Sequence, residues 1–386
     1  MQAKITIILK KTTTDIIISI AYTILMLTFL GSSNASAQIP SYPETWDFGL
    51  YTPEPLYQQD TLEICILGDI MMHTKQIENT RRGSSDYDFS TFFSLIKDDI
   101  MNADIAIGNI EFTLAGKPYT GYPCFSAPDG IETYVAECGF DIFLAANNHI
   151  FDKGAKGAER TLEKFRSLRE THNVQFTGLA GSEEELANTT PLMITGKGVS
   201  IALINFTYGT NQACGKSWPK TNYESEKTKI KAAFETAKEK NADFIIVLPH
   251  WGTEYVLQHS KAQETTAKWL VDCGADAIIG GHPHVIQDYQ EINGVPVAYS
   301  LGNAVSNMSA TNTQLELMAT IRIIRHKNGD LEMLPPTFKY LWCSLPGGYN
   351  NGYTVIPVED FLGKKELWHG KWDYDKMVNT YNRIKR

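Results

Sequence analysis

Short apolar runs alternate with longer amphipathic segments along most of this chain. Leu62–Leu67 predicts a strand ending at Gly68-Asp69, Ala103–Ile107 one ending at Gly108-Asn109, and Asp141–Ala146 one ending at Asn147-Asn148-His149. Val199–Phe206, Phe244–Leu248 and Ala277–Ile279 continue the series, the last two ending at Pro249-His250-Trp251 and at GGHPHVIQ, residues 280–287. Between them the 3.6-residue pattern predicts helices over Phe89–Met101, Asp129–Cys138, Lys156–Glu170, Glu224–Lys240 and Ala262–Cys273. Strands alternating with helices make a layered α/β domain. After residue 285 the texture changes. Val285–Ser300 around Asn293-Gly294 predicts one β-hairpin. Leu315–Ile324 and Leu331–Tyr340 around Lys327-Asn328-Gly329-Asp330 predict a second, and a last helix is predicted near Asp373–Lys385. No internal repeat stands out.

The first 37 residues do not fit this rhythm. Lysines precede the apolar stretch Ile16–Leu30, and Ala35-Ser36-Ala37 suits a cleavage site. The stretch is short for a membrane span, so it reads as a cleaved signal peptide rather than an anchor. The expected organisation is a signal peptide over 1–37, a linker over 38–58, the main domain over 59–340 and an extension over 341–386 that packs back on it. The protein is then exported, to the periplasm or cell surface. A formal net charge of -9 argues against a partner with a phosphate backbone, and no nucleic acid is expected. Six cysteines show no C-x-x-C spacing, which argues against a zinc–thiolate site.

The chemistry sits at the strand ends. Asp69 and His73, Asn109 and Glu111, Asn148 and His149, His250, and His282 with His284 each follow an apolar run. Ligands collect beyond the carboxyl ends of strands in α/β sheets. Carboxylates, a carboxamide and imidazoles together suit one or two divalent ions such as Mn²⁺, Zn²⁺, Fe²⁺ or Mg²⁺. In GGHPHVIQ the glycines are expected to turn the chain, and the two-residue period to project His282 and His284 on one side. Asp152 either orients His149 or caps the next helix. Glu254, four residues beyond His250, is a neighbour of the ligands or a substrate contact.

The series GDIMMH (68–73), GNIE (108–111), NNHIFDKG (147–154), HWGTEY (250–255), GHPH (281–284) and YSLGN (299–303) closely resembles the CapA family of bacterial capsule and poly-γ-glutamate synthesis. The family in turn is similar to the calcineurin-like metallophosphoesterases. The resemblance spans residues 60–307 and implies a central β-sandwich flanked by helices, with the C-terminal hairpins added. It implies Asp69, Asn148, His250, His282 and His284 as metal ligands and His149 as the group that protonates a leaving oxygen. It places His73, Asn109 and Asn303 beside the site as substrate or supporting residues. Two positions depart from ordinary phosphoesterases: the Asp-x-His histidine is displaced to His73, and Asn109 stands where a bridging aspartate is usual. Glu111 is the alternative bridge, and with Asp69, Asn148, His250, His282 and His284 it makes up the expected set of metal ligands. The implied function is a metal-dependent phosphoester hydrolase. The alternatives are a component that binds or exports polymer without catalysis, and a metal-dependent amide hydrolase of γ-glutamyl polymer. The implied partners are an anionic polymer or a small phosphorylated substrate, and membrane-bound capsule synthase proteins.

Overall fold

In a computed structural model, residues 46–47, 61–213 and 215–385 are described. The expected signal peptide and nearly all of the linker lie outside these residues. Among the described residues, no helix is long and apolar enough to cross a membrane.

Two sheets are stacked face to face. The first runs β1 (Trp46–Asp47), β7 (Leu192–Gly196), β8 (Val199–Thr207), β10 (Phe244–His250), β11 (Ala277–Ile279), β13 (Val295–Ala298) and β12 (Tyr289–Ile292). The second runs β18 (Thr354–Pro357), β17 (Thr337–Ser344), β15 (Leu315–Arg325), β2 (Thr61–Ile70), β3 (Ile105–Ile110), β4 (Ile142–Leu144) and β5 (Gln175–Thr177), with β14 (Asn303–Val305) on β2 and β16 (Leu331–Met333) on β15. A small separate pair joins β6 (Leu179–Ala180) to β9 (Lys220–Thr221). β2 to β5 are parallel, as are β8, β10, β11 and β13.

Side-chain alternation explains the layers. Leu62, Ile64 and Ile66 of β2 meet Ile246 and Leu248 of β10 in the core between the sheets. Cys65 and Leu67 point the other way, towards helices α1 (Thr74–Thr80), α2 (Lys97–Asn102), α3 (Ile131–Glu137) and α4 (Gly154–His172). Ile245 and Val247 of β10 likewise meet α6 (Lys227–Glu239) and α7 (Lys261–Cys273) on the far side of the first sheet. Helices therefore cover both outer faces, as the parallel strands require. In α4, Ala158, Leu162, Phe165 and Leu168 recur at helical spacing on the buried face. The smaller helices are α5 (Glu183–Thr189), α8 (Val358–Phe361) and α9 (Lys371–Ile384). This is the expected α/β architecture, a β-sandwich between helical layers.

Three details differ from the pattern reading. The helix expected over Phe89–Met101 forms only at α2. Before it, Ser90 N–H donates to Asp88 Oδ1 and the Ser94 hydroxyl to Thr91 C=O, local bonds that favour turns. The strand expected over Leu331–Tyr340 is broken into β16 and β17, because Pro335-Pro336 lack the N–H groups a ladder needs. β17 continues across position 340, and β18 pairs with it in the same sheet. The Asn293-Gly294 hairpin forms as expected, with φ of 52° and 84° at its two turn residues. Cys65, Cys124, Cys138, Cys273 and Cys343 are free thiols.

Candidate metal centre

The carboxyl ends of β2, β3 and β4 from one sheet meet those of β8, β10 and β11 from the other. In register, Asp69 lies beside Asn109 on one side and Asn303 on the other. Asp69 N–H donates to Gly302 C=O at 3.1 Å. A Cβ on Gly68 would lie 1.9 Å from that oxygen, so glycine is required where β2 meets the Gly302 turn. Across the sandwich, Asn205 at the end of β8 accepts from Ala146 N–H and donates to Leu248 C=O, tying the ends of β4 and β10 together.

GGHPHVIQ reaches the site differently from the expectation. Neither Gly280 nor Gly281 has a positive φ. They are glycines because a Cβ would meet Tyr299 C=O at 2.3 Å and Asp69 Oδ1 at 2.9 Å, respectively. The turning is done by the histidines, with φ of 99° at His282 and 57° at His284. Left-handed backbone, not strand alternation, brings the two imidazoles together, with ring centres 5.8 Å apart.

Asp69, Glu111, Asn148, His250, His282 and His284 all converge and all are buried. Asp69, Glu111 and His284 place ligand atoms within 4.8 Å of one another, as do Glu111, His250 and His282. His250 Nε2 is 2.8 Å from Asn148 Oδ1 and 3.6 Å from Glu111 Oε1. The supporting residues are also in place. His284 Nδ1 lies 2.9 Å from Asn303 Oδ1, which orients the ring. Asn109 is committed elsewhere: its amide donates to Asp69 Oδ1 at 2.7 Å and its oxygen accepts from Asn147 at 3.1 Å. Of the two candidate bridges, only Glu111 has free oxygens.

The polar atoms fit a cation. Both oxygens of Glu111 and Nδ1 of His282 are buried with no hydrogen-bond partner. Burial, then the nearby Asp69 carboxylate, raise the Glu111 pKa well above the usual carboxylate value. Burial also favours neutral Asp69, but hydrogen bonding with His284, the two imidazoles and Asn109 outweighs it and holds that group well below the usual range. Burial and the neighbouring imidazoles lower His250 to about 3 and put His282 well below its ordinary value, against the pull of Asp69. Neutral imidazoles beside buried carboxylate oxygens are what a divalent ion needs. A buried carboxylate with no partner is otherwise costly.

His149 borders the cluster, and its proximity opposes protonation of His250 and His282. Its Nδ1 is 2.7 Å from Asp152 Oδ2, which also accepts from Phe125 N–H. Asp152 therefore orients His149, while α4 starts after Lys153 without an Asp152 cap. His73 does not join the ligands. Its N–H donates to Gln76 Oε1 at the start of α1, and its ring packs edge-on against Phe125. Position 71, where an Asp-x-His histidine would stand, is Met71 in the core.

The pattern reading missed several residues here. Asn147 donates to Asn109 and Ile110 and accepts from His149 N–H; its place in NNH was the only signal. Tyr208 lies 4.5 Å from His282 with its ring tilted by 38°, and Tyr255, which reads from sequence only as packing, stands 6.2 Å from His284; both are exposed. Glu316 on β15 is buried with both oxygens unbonded, and an apolar strand context gave no hint of it.

Fold and motif order together set these buried groups, which could hold a metal ion, in a capsule-synthesis framework. The chain belongs to the family described as bacterial capsule synthesis protein PGA_cap, which matches residues 63–308. It is similar to the capsule biosynthesis protein CapA of Bacillus anthracis, 29% identical over 290 residues, 72% of this chain and 68% of that one. It is also similar to the PGA biosynthesis protein CapA of Bacillus subtilis, 27% identical, covering 72% of each chain. Among solved structures, the calcineurin-like phosphoesterase YfkN from Bacillus subtilis is similar with a TM-score of 0.43 and 14% identity, over 85% of this chain and 100% of that one. The NAD nucleotidase NadN of Haemophilus influenzae gives a TM-score of 0.44 and 14% identity over 85% of this chain, which spans 63% of that structure.

Proposed function

We propose that the protein is an exported, divalent-metal-dependent hydrolase that cleaves a phosphoester during capsule or poly-γ-glutamate synthesis. The observation that carries this reading is the buried set of unpartnered ligand atoms on Glu111 and His282, beside neutral His250. Asp69, Glu111, Asn148, His250, His282 and His284 would hold one or two ions. Bound there, such ions supply Lewis acidity and a water acidified towards neutrality. The chain's own groups do the rest. Asp152 fixes the His149 ring through Nδ1, so His149 can protonate a leaving oxygen. Tyr208 and Tyr255 offer ring faces and hydroxyls to whatever enters. An anionic polymer or a small phosphorylated compound would offer oxygens to such an ion, and membrane-bound synthase proteins are the expected partners.

One observation favours a second reading, a polymer-binding or assembly component without turnover. Asn109 is a carboxamide at the usual bridging position, and its hydrogen bonds leave it none of a carboxylate's bridging capacity. The deciding experiment offers metal-loaded protein a panel of phosphoesters and a panel of γ-glutamyl peptides. Phosphoester turnover that depends on metal and on His149 is expected. Turnover of the γ-glutamyl panel alone would replace the bond class. Silence on both, with polymer binding, would leave the assembly reading in its place.

A further inference from the structure

We propose that Glu254 is itself a metal ligand, forming with His282 and His284 an outer cation position at the mouth of the centre. The proposal rests on the metal reading above and goes beyond the family-matched ligands, among which Glu254 has no place. Three observations carry it. The first is proximity. Glu254, His282 and His284 each bring a ligand atom within 4.8 Å of the others, as close as the two inner sets, and Glu254 is only part-buried whereas the inner carboxylates are fully enclosed.

The second is the backbone. Among the described residues, eight non-glycine positions have positive φ. Four are asparagine, which tolerates that region. Three of the remaining four are Tyr255, His282 and His284, with φ of 66°, 99° and 57°. Strain of this kind persists only where the surroundings enforce it, and it collects at functional sites. Here Tyr255 N–H donates to Pro283 C=O at 2.8 Å and Trp251 N–H to Gly281 C=O at 3.0 Å. These bonds lace the 251–255 loop to the histidine loop and fix where Glu254 sits.

The third is an unpartnered donor. Nδ1 of His282 is buried with no hydrogen-bond partner. Glu254 brings a carboxylate to the two imidazoles from the more open side. Two imidazoles and one carboxylate select a first-row ion such as Zn²⁺, Mn²⁺, Fe²⁺ or Co²⁺ over Ca²⁺. His282 belongs to both the inner and the outer sets, which couples the two positions.

The test is a Co²⁺ titration of the chelator-stripped full chain, read by calorimetry and by visible absorption, on wild type, Glu254→Gln, Glu254→Asp and Glu111→Gln. Two binding classes are expected in wild type. Glu254→Gln should weaken the looser class at least tenfold and alter its absorption bands, and Glu254→Asp should fall between the two. Glu111→Gln should weaken the tighter class instead. Thermal melting of the stripped proteins confirms that Glu254→Gln is folded. A Glu254→Gln isotherm and spectrum that coincide with wild type would overturn this assignment and leave the inner centre standing. A wild type that takes up neither Co²⁺ nor Zn²⁺ would overturn both.

Discussion

The two sheets contribute different chemistry to the centre. The nine-stranded sheet brings the oxygens: Asp69 on β2, Glu111 after β3 and Asn148 after β4. The seven-stranded sheet brings the nitrogens: His250 on β10, then His282 and His284 after β11. The oxygen side is built at the ends of adjacent parallel strands, with a register shift between Leu67 and Asp69 on β2. The nitrogen side depends on left-handed residues and on two glycines pressed against Tyr299 and Asp69. Neither side alone makes a site. Glu111 reaches His250 and His282 only because the sandwich core brings the sheets together, so folding and assembly of the centre are one event.

That division suggests how to break the centre, starting from the largest effect. Replacing His250 with alanine should abolish metal-dependent turnover while circular dichroism stays native, because the oxygen side keeps its own strand pairing; retained turnover would remove His250 from the centre. His149→Ala should cost about 10²–10⁴-fold in rate with poor leaving groups and much less with good ones. Equal losses with both would exclude a proton-donor role. Gly68→Ala drives a methyl group into Gly302 C=O and should destabilise the fold by about 3 kcal/mol in denaturant unfolding, the upper end for overpacking. Asn303→Ala frees the His284 ring and should weaken metal binding about 10–100-fold, as loss of an orienting partner does.

The smallest effect lies away from the centre. Asp141 bridges β3 and β4, accepting from Ala106 N–H at 2.8 Å, and burial raises its pKa to about 7. Its acid is protonated more readily in the folded than in the unfolded chain. Its contribution to stability is therefore present below pH 4 and declines as pH rises from about 4 to 7. Asp141→Asn should flatten that decline by about 1 kcal/mol, the half-buried position letting solvent screen the charge. Unfolding curves at pH 4.5 and 7 measure it, and an unchanged slope would contradict it.

The two sides also differ in how far they can be read without a structure. Asp69, Asn109, Asn148 and His250 each close an apolar run, so hydrophobic pattern and ligand type together locate them. His282 and His284 were legible as residues but not in their geometry, since the conformation of GGHPH depends on Tyr299, Trp251 and Asp69 pressing on it from elsewhere in the chain. Residue type alone favours Glu111 over Asn109 as the ligand, but the reason Asn109 is unavailable was not legible. Asn147 and Asp69 already occupy its side chain. Asp152 was ambiguous for another reason: orienting His149 and capping the helix that follows are both local roles. Contacts set by sheet closure leave no local signature, whereas strand ends do.

The most direct test of a metal centre shared between the sheets is the metal content of the purified protein, beside a His282→Ala/His284→Ala double variant. The account predicts one or two divalent ions per chain in wild type and their loss in the variant, with the fold retained. No metal in wild type after incubation with Mn²⁺, Zn²⁺ and Fe²⁺, or equal metal in both proteins, would contradict it.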